Sequence, residues 1–181
     1  MKKSRLLSLK DMTHEDLALS DRIVEDLREQ LPSRLLRALA RADEEPHFYL
    51  SPKDHMLQSA TRAYRAGRGD LWIVAALFHD LGTHIAPLNH AAYAAAVLRP
   101  YVTDEIHWAI EHHALFQEHY WAHLTESAED PRERFRGHPH FDATVDFCHN
   151  FDQNCFDPDY DTLPLEFFAP LVHQVFGAER R

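Results

Sequence analysis

The chain has 181 residues, 45% of them apolar, enough for one domain with a substantial core. Its formal net charge is −10 and the acid is spread along the sequence, which excludes a nucleic-acid backbone as a natural partner. No run approaches the roughly 20 apolar residues of a membrane span, and the basic start "MKKSR" precedes no long apolar stretch. The expectation is no membrane, a cytoplasmic location, and Cys148 and Cys155 as reduced thiols.

In chain order the elements predict an all-α fold. "THEDLALSDRIVEDLREQLPSRLLRALARADEE" carries Leu17, Ile23, Leu27 and Leu31, then Leu35, Leu36 and Leu39, at helical steps, with Pro32 separating two helices. "SPKDHMLQSATRAYRAGRGD" opens with Ser51 as N-cap and Pro52 at the first helical position, and ends near Gly67. "DLWIVAALFHDLG" is apolar on nearly every face, which predicts a buried helix closed by Gly82. "NHAAYAAAVLRPY" starts a helix at Asn89 and stops it at Pro100, and "TDEIHWAIEHHALFQEHYW" opens another with a capping Thr-Asp-Glu. "ESAEDPRERFRGHPHF" reads as a polar loop, followed by helices in "FDATVDFCHNFDQNCF" and "LPLEFFAPLVHQVF". No period-2 runs bounded by turn residues interrupt this order. The division expected is an N-terminal helical segment, 1–45, packed on a single-domain bundle, 46–181, that contains the functional site.

Histidine is the compositional outlier, at 15 residues. His55, His79, Asp80, His90 and His113 sit within or beside apolar helices, and a late aspartate, Asp152, joins them, with Asp142, Asp146 and Asp157 as competitors. From His55 to His79 and from His90 to His113 the spacing suits a helix, a turn and a returning helix, which brings each pair to one level of a bundle. Buried imidazoles and carboxylates require compensation, and a metal ion supplies it. Four histidines and two aspartates suit a dinuclear site. This donor set favours iron, manganese, zinc or nickel over calcium or magnesium, and the lack of cysteine ligands argues against structural zinc. Asp80 can lie between two ions while its neighbour His79 binds one. At "HH" only one histidine faces inward. Ile106, Ile110 and His113 share an apolar face, whereas His112 shares a mixed one with Asp104, Glu105 and Trp108.

His55, the "HD" doublet at 79–80, two later histidines and a late aspartate resemble the HD-domain superfamily of metal-dependent enzymes, over about residues 50 to 155. That superfamily is all-α. Most of its members are phosphohydrolases, and a smaller branch holds mixed-valent diiron oxygenases acting on inositol or on hydroxylated aminoalkylphosphonates. "NHAAYAAAVL", "HHALFQEHYW" and "NFDQNCFD" resemble the oxygenases' later ligand segments, and the last of these selects Asp152. The resemblance implies His55, His79, Asp80 and Asp152 on one metal and Asp80, His90 and His113 on the other, with Asp80 bridging. It further implies two iron ions, dioxygen, and a small hydroxylated substrate such as a phosphonate or polyol. The alternatives are a phosphohydrolase acting on a nucleotide or small phosphoester, and a non-catalytic sensor. After "HDLG" the family carries a lysine or a histidine, whereas this chain has Thr83 and then His84. These two, with Gln117 one turn past His113, are the expected substrate-side residues. Arg99 and Lys53 are expected at the surface, and Phe116, Trp121 and Tyr93 in the core.

Overall fold

The computed structural model describes residues 6–44, 49–125 and 130–177. These form eight α-helices and four short 3-10 turns, with no strand among the described residues, so the fold is all-α. The expected boundary at residues 45 and 46 lies outside the described residues, as does 126–129 of the polar stretch. The rest of that stretch is not wholly loop, because Pro131–Phe135 winds into a 3-10 helix capped by Asp130.

Helices α1 (His14–Glu29) and α2 (Leu31–Arg41) meet at Gln30, with Pro32 inside the first turn of α2, where its missing N–H costs nothing. The apolar periodicity of α1 predicts a buried face, but the helix buries none: Leu17 is 48% exposed and Ile23 47%. A capping box holds it instead, in which Thr13 accepts from the Asp16 amide and the Asp16 carboxylate accepts from the Thr13 amide. Helix α2 does bury Leu35 and Leu39, and packs on the C-terminal helix α8 (Leu165–Gly177).

The core is built around α4 (Asp70–Phe78), in which every side chain from Ile73 to Phe78 is buried. That is why its sequence shows no amphipathic stripe. It packs against α3 (Pro52–Arg65), α8 and α6 (Asp104–Trp121). Helix α5 (His90–Leu98) lies on α6, and α7 (Phe141–Phe151) bridges α3 and α6. The α3 N-terminus is as its sequence predicts: Ser51 Oγ accepts from the Asp54 amide at 3.1 Å, and Pro52 opens the helix.

The inner face of α3 also clamps the segment that follows α7. Ser59 donates its hydroxyl to the Phe151 carbonyl. The Gln58 amide donates to the Asp157 carbonyl at 2.7 Å and accepts from the Asp157 amide at 3.2 Å. Thr61 accepts from the Leu163 amide at 3.1 Å. These bonds fix an irregular strap, residues 151 to 163, against a regular helix.

Candidate metal centre

His79 is the C-cap of α4, and Asp80 lies in the turn just beyond it. Asp152 is the C-cap of α7. Both carboxylates therefore sit at the negative ends of helix dipoles, where a cation is favoured and an anion is not. His55 projects from the first turn of α3, His90 opens α5, and His113 lies mid-way along α6. Five elements thus contribute to one point, and His55, His79, His113 and Asp152 are buried there.

Each imidazole is fixed through Nδ1. His55 donates to the Cys155 carbonyl at 3.0 Å, His79 to Ala76 at 2.8 Å, His113 to Ile110 at 2.7 Å and His90 to Pro87 at 3.4 Å. With the proton held on Nδ1, the neutral ring presents an Nε2 lone pair to the site. The four Nε2 atoms converge on the two carboxylates. Those of His55 and His79 stand 3.1 Å apart, and lie 3.3 and 3.5 Å from Asp152 Oδ1. Two lone pairs facing each other beside two carboxylates need positive charge between them.

Asp80 divides its oxygens. Oδ2 faces His55 and His79 at 3.6 and 3.7 Å, and Oδ1 faces His113 and His90 at 3.2 and 3.4 Å. The remaining Asp152 oxygen, Oδ2, is buried without a hydrogen-bond partner. One ligand atom from each of His55, His79 and Asp152 falls within 4.8 Å of the others, and the same holds for His79, Asp80 and His113. These five residues could hold a metal ion, and the orphaned oxygen and the facing lone pairs fit that role.

The field among the side chains points the same way. Burial opposes ionisation of Asp152, but the charge of His79 and hydrogen bonds from His55 and His79 hold its carboxyl well below the usual range. Asp80 is likewise lowered against burial, first by His79 and then by His113. Burial opposes charge on His55, yet the hydrogen bond and charge of Asp152, with that of Asp80, raise its pKa. His79 is raised against burial by Asp80 and Asp152. The site keeps its carboxylates ionised, and with no metal bound it favours a proton on the imidazoles that face them.

A cavity of about 450 Å³ opens onto this cluster. His55, Asp80, His90, His113 and Asp152 line it, together with Gln117, Glu118, Tyr120, Trp121, Gln153 and Phe156. Gln117 is buried, and its Oε1 has no hydrogen-bond partner. No lysine or arginine lines the cavity among the described residues.

The structure brings together His55, His79, Asp80, His90, His113, Asp152 and Gln117, and it does not bring Thr83 or His84 into the cavity. The Thr83 hydroxyl donates to the Asp80 carbonyl at 2.8 Å, which closes the turn after α4, and His84 is exposed. His112 stacks on Trp108 with ring centroids 4.1 Å apart and donates to the Trp108 carbonyl. Lys53 and Arg99 pair with Asp43 and Asp104. Phe116 is core, but Trp121 is 45% exposed and lines the cavity.

Phe156 stacks on the His55 ring at 4.5 Å, a contact the sequence does not announce, and Gly82 has a role other than the helix stop its position suggests. Gly82 does not cap α4 in a left-handed conformation, since only Gly67 and Gly137 have positive φ. It is small because α5 passes over it: an added Cβ would lie 2.9 Å from the His90 carbonyl oxygen and from two Tyr93 carbons. The glycine thus admits His90 to Asp80, and its place two residues after the doublet was the available signal. The chain matches no family model and no curated protein, so the centre is read from its own geometry.

Proposed function

We propose that the protein is an HD-type dinuclear metalloenzyme that uses dioxygen to oxidise a small, hydroxylated substrate. The observation that carries the two-metal reading is the division of the Asp80 oxygens between two groups of imidazoles. His55, His79 and Asp152 would hold one ion, His90 and His113 the other, with Asp80 between them. When bound, a pair of iron ions supplies the one-electron chemistry that activates dioxygen; manganese, zinc and nickel also suit the donors.

The chain's own residues account for the rest. The second ion would have only His90, His113 and Asp80 as protein ligands, which would leave room for substrate. The unpartnered Gln117 Oε1 accepts a substrate hydroxyl and turns the hydroxyl-bearing carbon toward the ligand cluster. Tyr120, Trp121 and Phe156 give the cavity an aromatic wall against which the carbon skeleton of a small substrate can pack. A second reading, phosphoester hydrolysis, draws on Glu118, whose carboxylate lines the cavity and can orient a water.

The deciding experiment is reconstitution with ferrous iron under limited oxygen, followed by electron paramagnetic resonance during titration with a panel of polyols. A mixed-valent signal that shifts with one polyol, together with oxygen uptake, supports the oxygenase. Phosphate release from phosphoesters without oxygen uptake would replace it with the hydrolase.

A further inference from the structure

On the far side of the strap that carries Asp152 lies a second cavity, of about 520 Å³. The end of α7 and the strap form a shared wall: Asp152, Gln153 and Phe156 line the metal cavity, whereas Asn150, Phe151 and Asn154 line the second one. The two cavities differ in charge. Three guanidinium groups, of Arg62, Arg65 and Arg68, face the second cavity, in a chain whose net charge is −10.

Arg62 is the least compensated of the three, while Arg68 lies over the Trp72 and Phe151 rings. Arg62 and Arg65 sit over the same Tyr160 ring, at 4.2 and 5.2 Å from its centre, so one ring serves two like charges. Arg62 Nε is buried with no hydrogen-bond partner, and among the described residues Arg62 forms no ion pair. Arg65 pairs with Asp161, whose side chain is 92% exposed, and Arg68 with the half-exposed Asp146. Exposed pairs of this kind contribute little and are readily exchanged for a better anion. Asn154 adds a side-chain amide, whereas the Asn150 amide donates to Asp146 Oδ1 at 2.8 Å, whose carboxylate lines the same cavity. A planar guanidinium cluster with an amide donor matches the oxygens of phosphate groups, and the volume exceeds what one inorganic phosphate fills.

We propose that this cavity binds a small anion carrying two or more phosphate groups. The proposal is independent of the chemistry at the metal centre. The test is isothermal titration calorimetry with inorganic pyrophosphate on the full chain, using wild type, Arg62→Gln, Arg65→Gln and Asp80→Asn. Circular dichroism establishes that each variant is folded, and Arg65→Gln, at an exposed position, serves if Arg62→Gln is not. Saturable binding by wild type that weakens tenfold or more in the arginine variants, and persists in Asp80→Asn, is the expected result. Loss of binding in Asp80→Asn with the arginine variants unchanged would place the anion on the metal centre and overturn the proposal. So would the absence of binding at millimolar pyrophosphate.

Discussion

Gly82→Ala is the most discriminating perturbation of the centre. The new methyl carbon would stand 2.9 Å from Tyr93 Cβ and Cδ1 and from the His90 carbonyl oxygen. Ordinary carbon–carbon contact is about 3.5–4.0 Å, so the first turn of α5 must retreat by at least roughly 0.6 Å. Two of the three opposing atoms are backbone oxygen and Cβ, so no rotamer change relieves the clash. Overpacking of this kind costs about 1–3 kcal/mol, offset by up to about 1 kcal/mol from the lower chain entropy of alanine when unfolded. A net loss of about 1–2 kcal/mol is expected, a fall of roughly 2–8 °C in Tm for a chain of this size. The displacement also carries His90 away from Asp80 Oδ1, now 3.4 Å away. The second metal should therefore be lost before the first. Denaturant unfolding with metal analysis reads both effects. Full stability with two retained metals would refute the close-approach reasoning.

Chelation should lower Tm by several degrees, because the partly buried Asp80 and buried Asp152 carboxylates then face each other's charge without metal; differential scanning fluorimetry with and without chelator checks this. His113→Ala should release one metal while leaving the other, whereas His112→Ala should keep both, since His112 stacks on Trp108 away from the cluster; metal-to-protein ratios distinguish the two. Gln117→Leu should weaken substrate binding and leave metal content unchanged, as read by metal analysis beside substrate titration. Asp130 is held at about 2, first by hydrogen bonds from Arg132 and then by the charges of Arg132 and His119. Its folded pKa is depressed, so its contribution, on the order of 1 kcal/mol, is present above about pH 4 and fades as pH falls toward 2. Wild type and Asp130→Asn should therefore converge in urea midpoint across that window, and parallel curves would sink the assignment.

The helices were readable because each has its own local cause. Ser51 and Thr103 announce N-termini, Pro32 and Pro100 mark junctions, and the α4 run is apolar on every face because that helix is surrounded. The candidate ligands were readable as buried polar residues in apolar company. What spacing could not convey is anything that depends on a distant segment. The α1 stripe has the spacing of a core face, but its burial depends on what packs there, and among the described residues its main neighbour is α2 alone, which leaves the stripe exposed. Gly82 looked like a cap because the approach of α5 is a tertiary fact. Thr83 and His84 were placed by adjacency to the doublet, but the turn that aims Asp80 inward spends the Thr83 hydroxyl on closing itself.

The positions of the two carboxylates explain why the cluster sits where it does. An aspartate at a helix C-terminus is disfavoured by the dipole, and one that is also buried is disfavoured twice. This chain does it fully with Asp152 and in part with the half-buried Asp80, and points them at each other across His55 and His79. The strap from residue 151 to 163 is pinned by Ser59, Gln58 and Thr61, all on the helix that carries His55. One end of the ligand set is thus registered against the other through α3. Stability would be greater with apolar residues at these positions. A fold that holds two anions and four imidazole lone pairs in a fixed arrangement has placed them for a cation, and the Asp80 oxygens divide that arrangement in two.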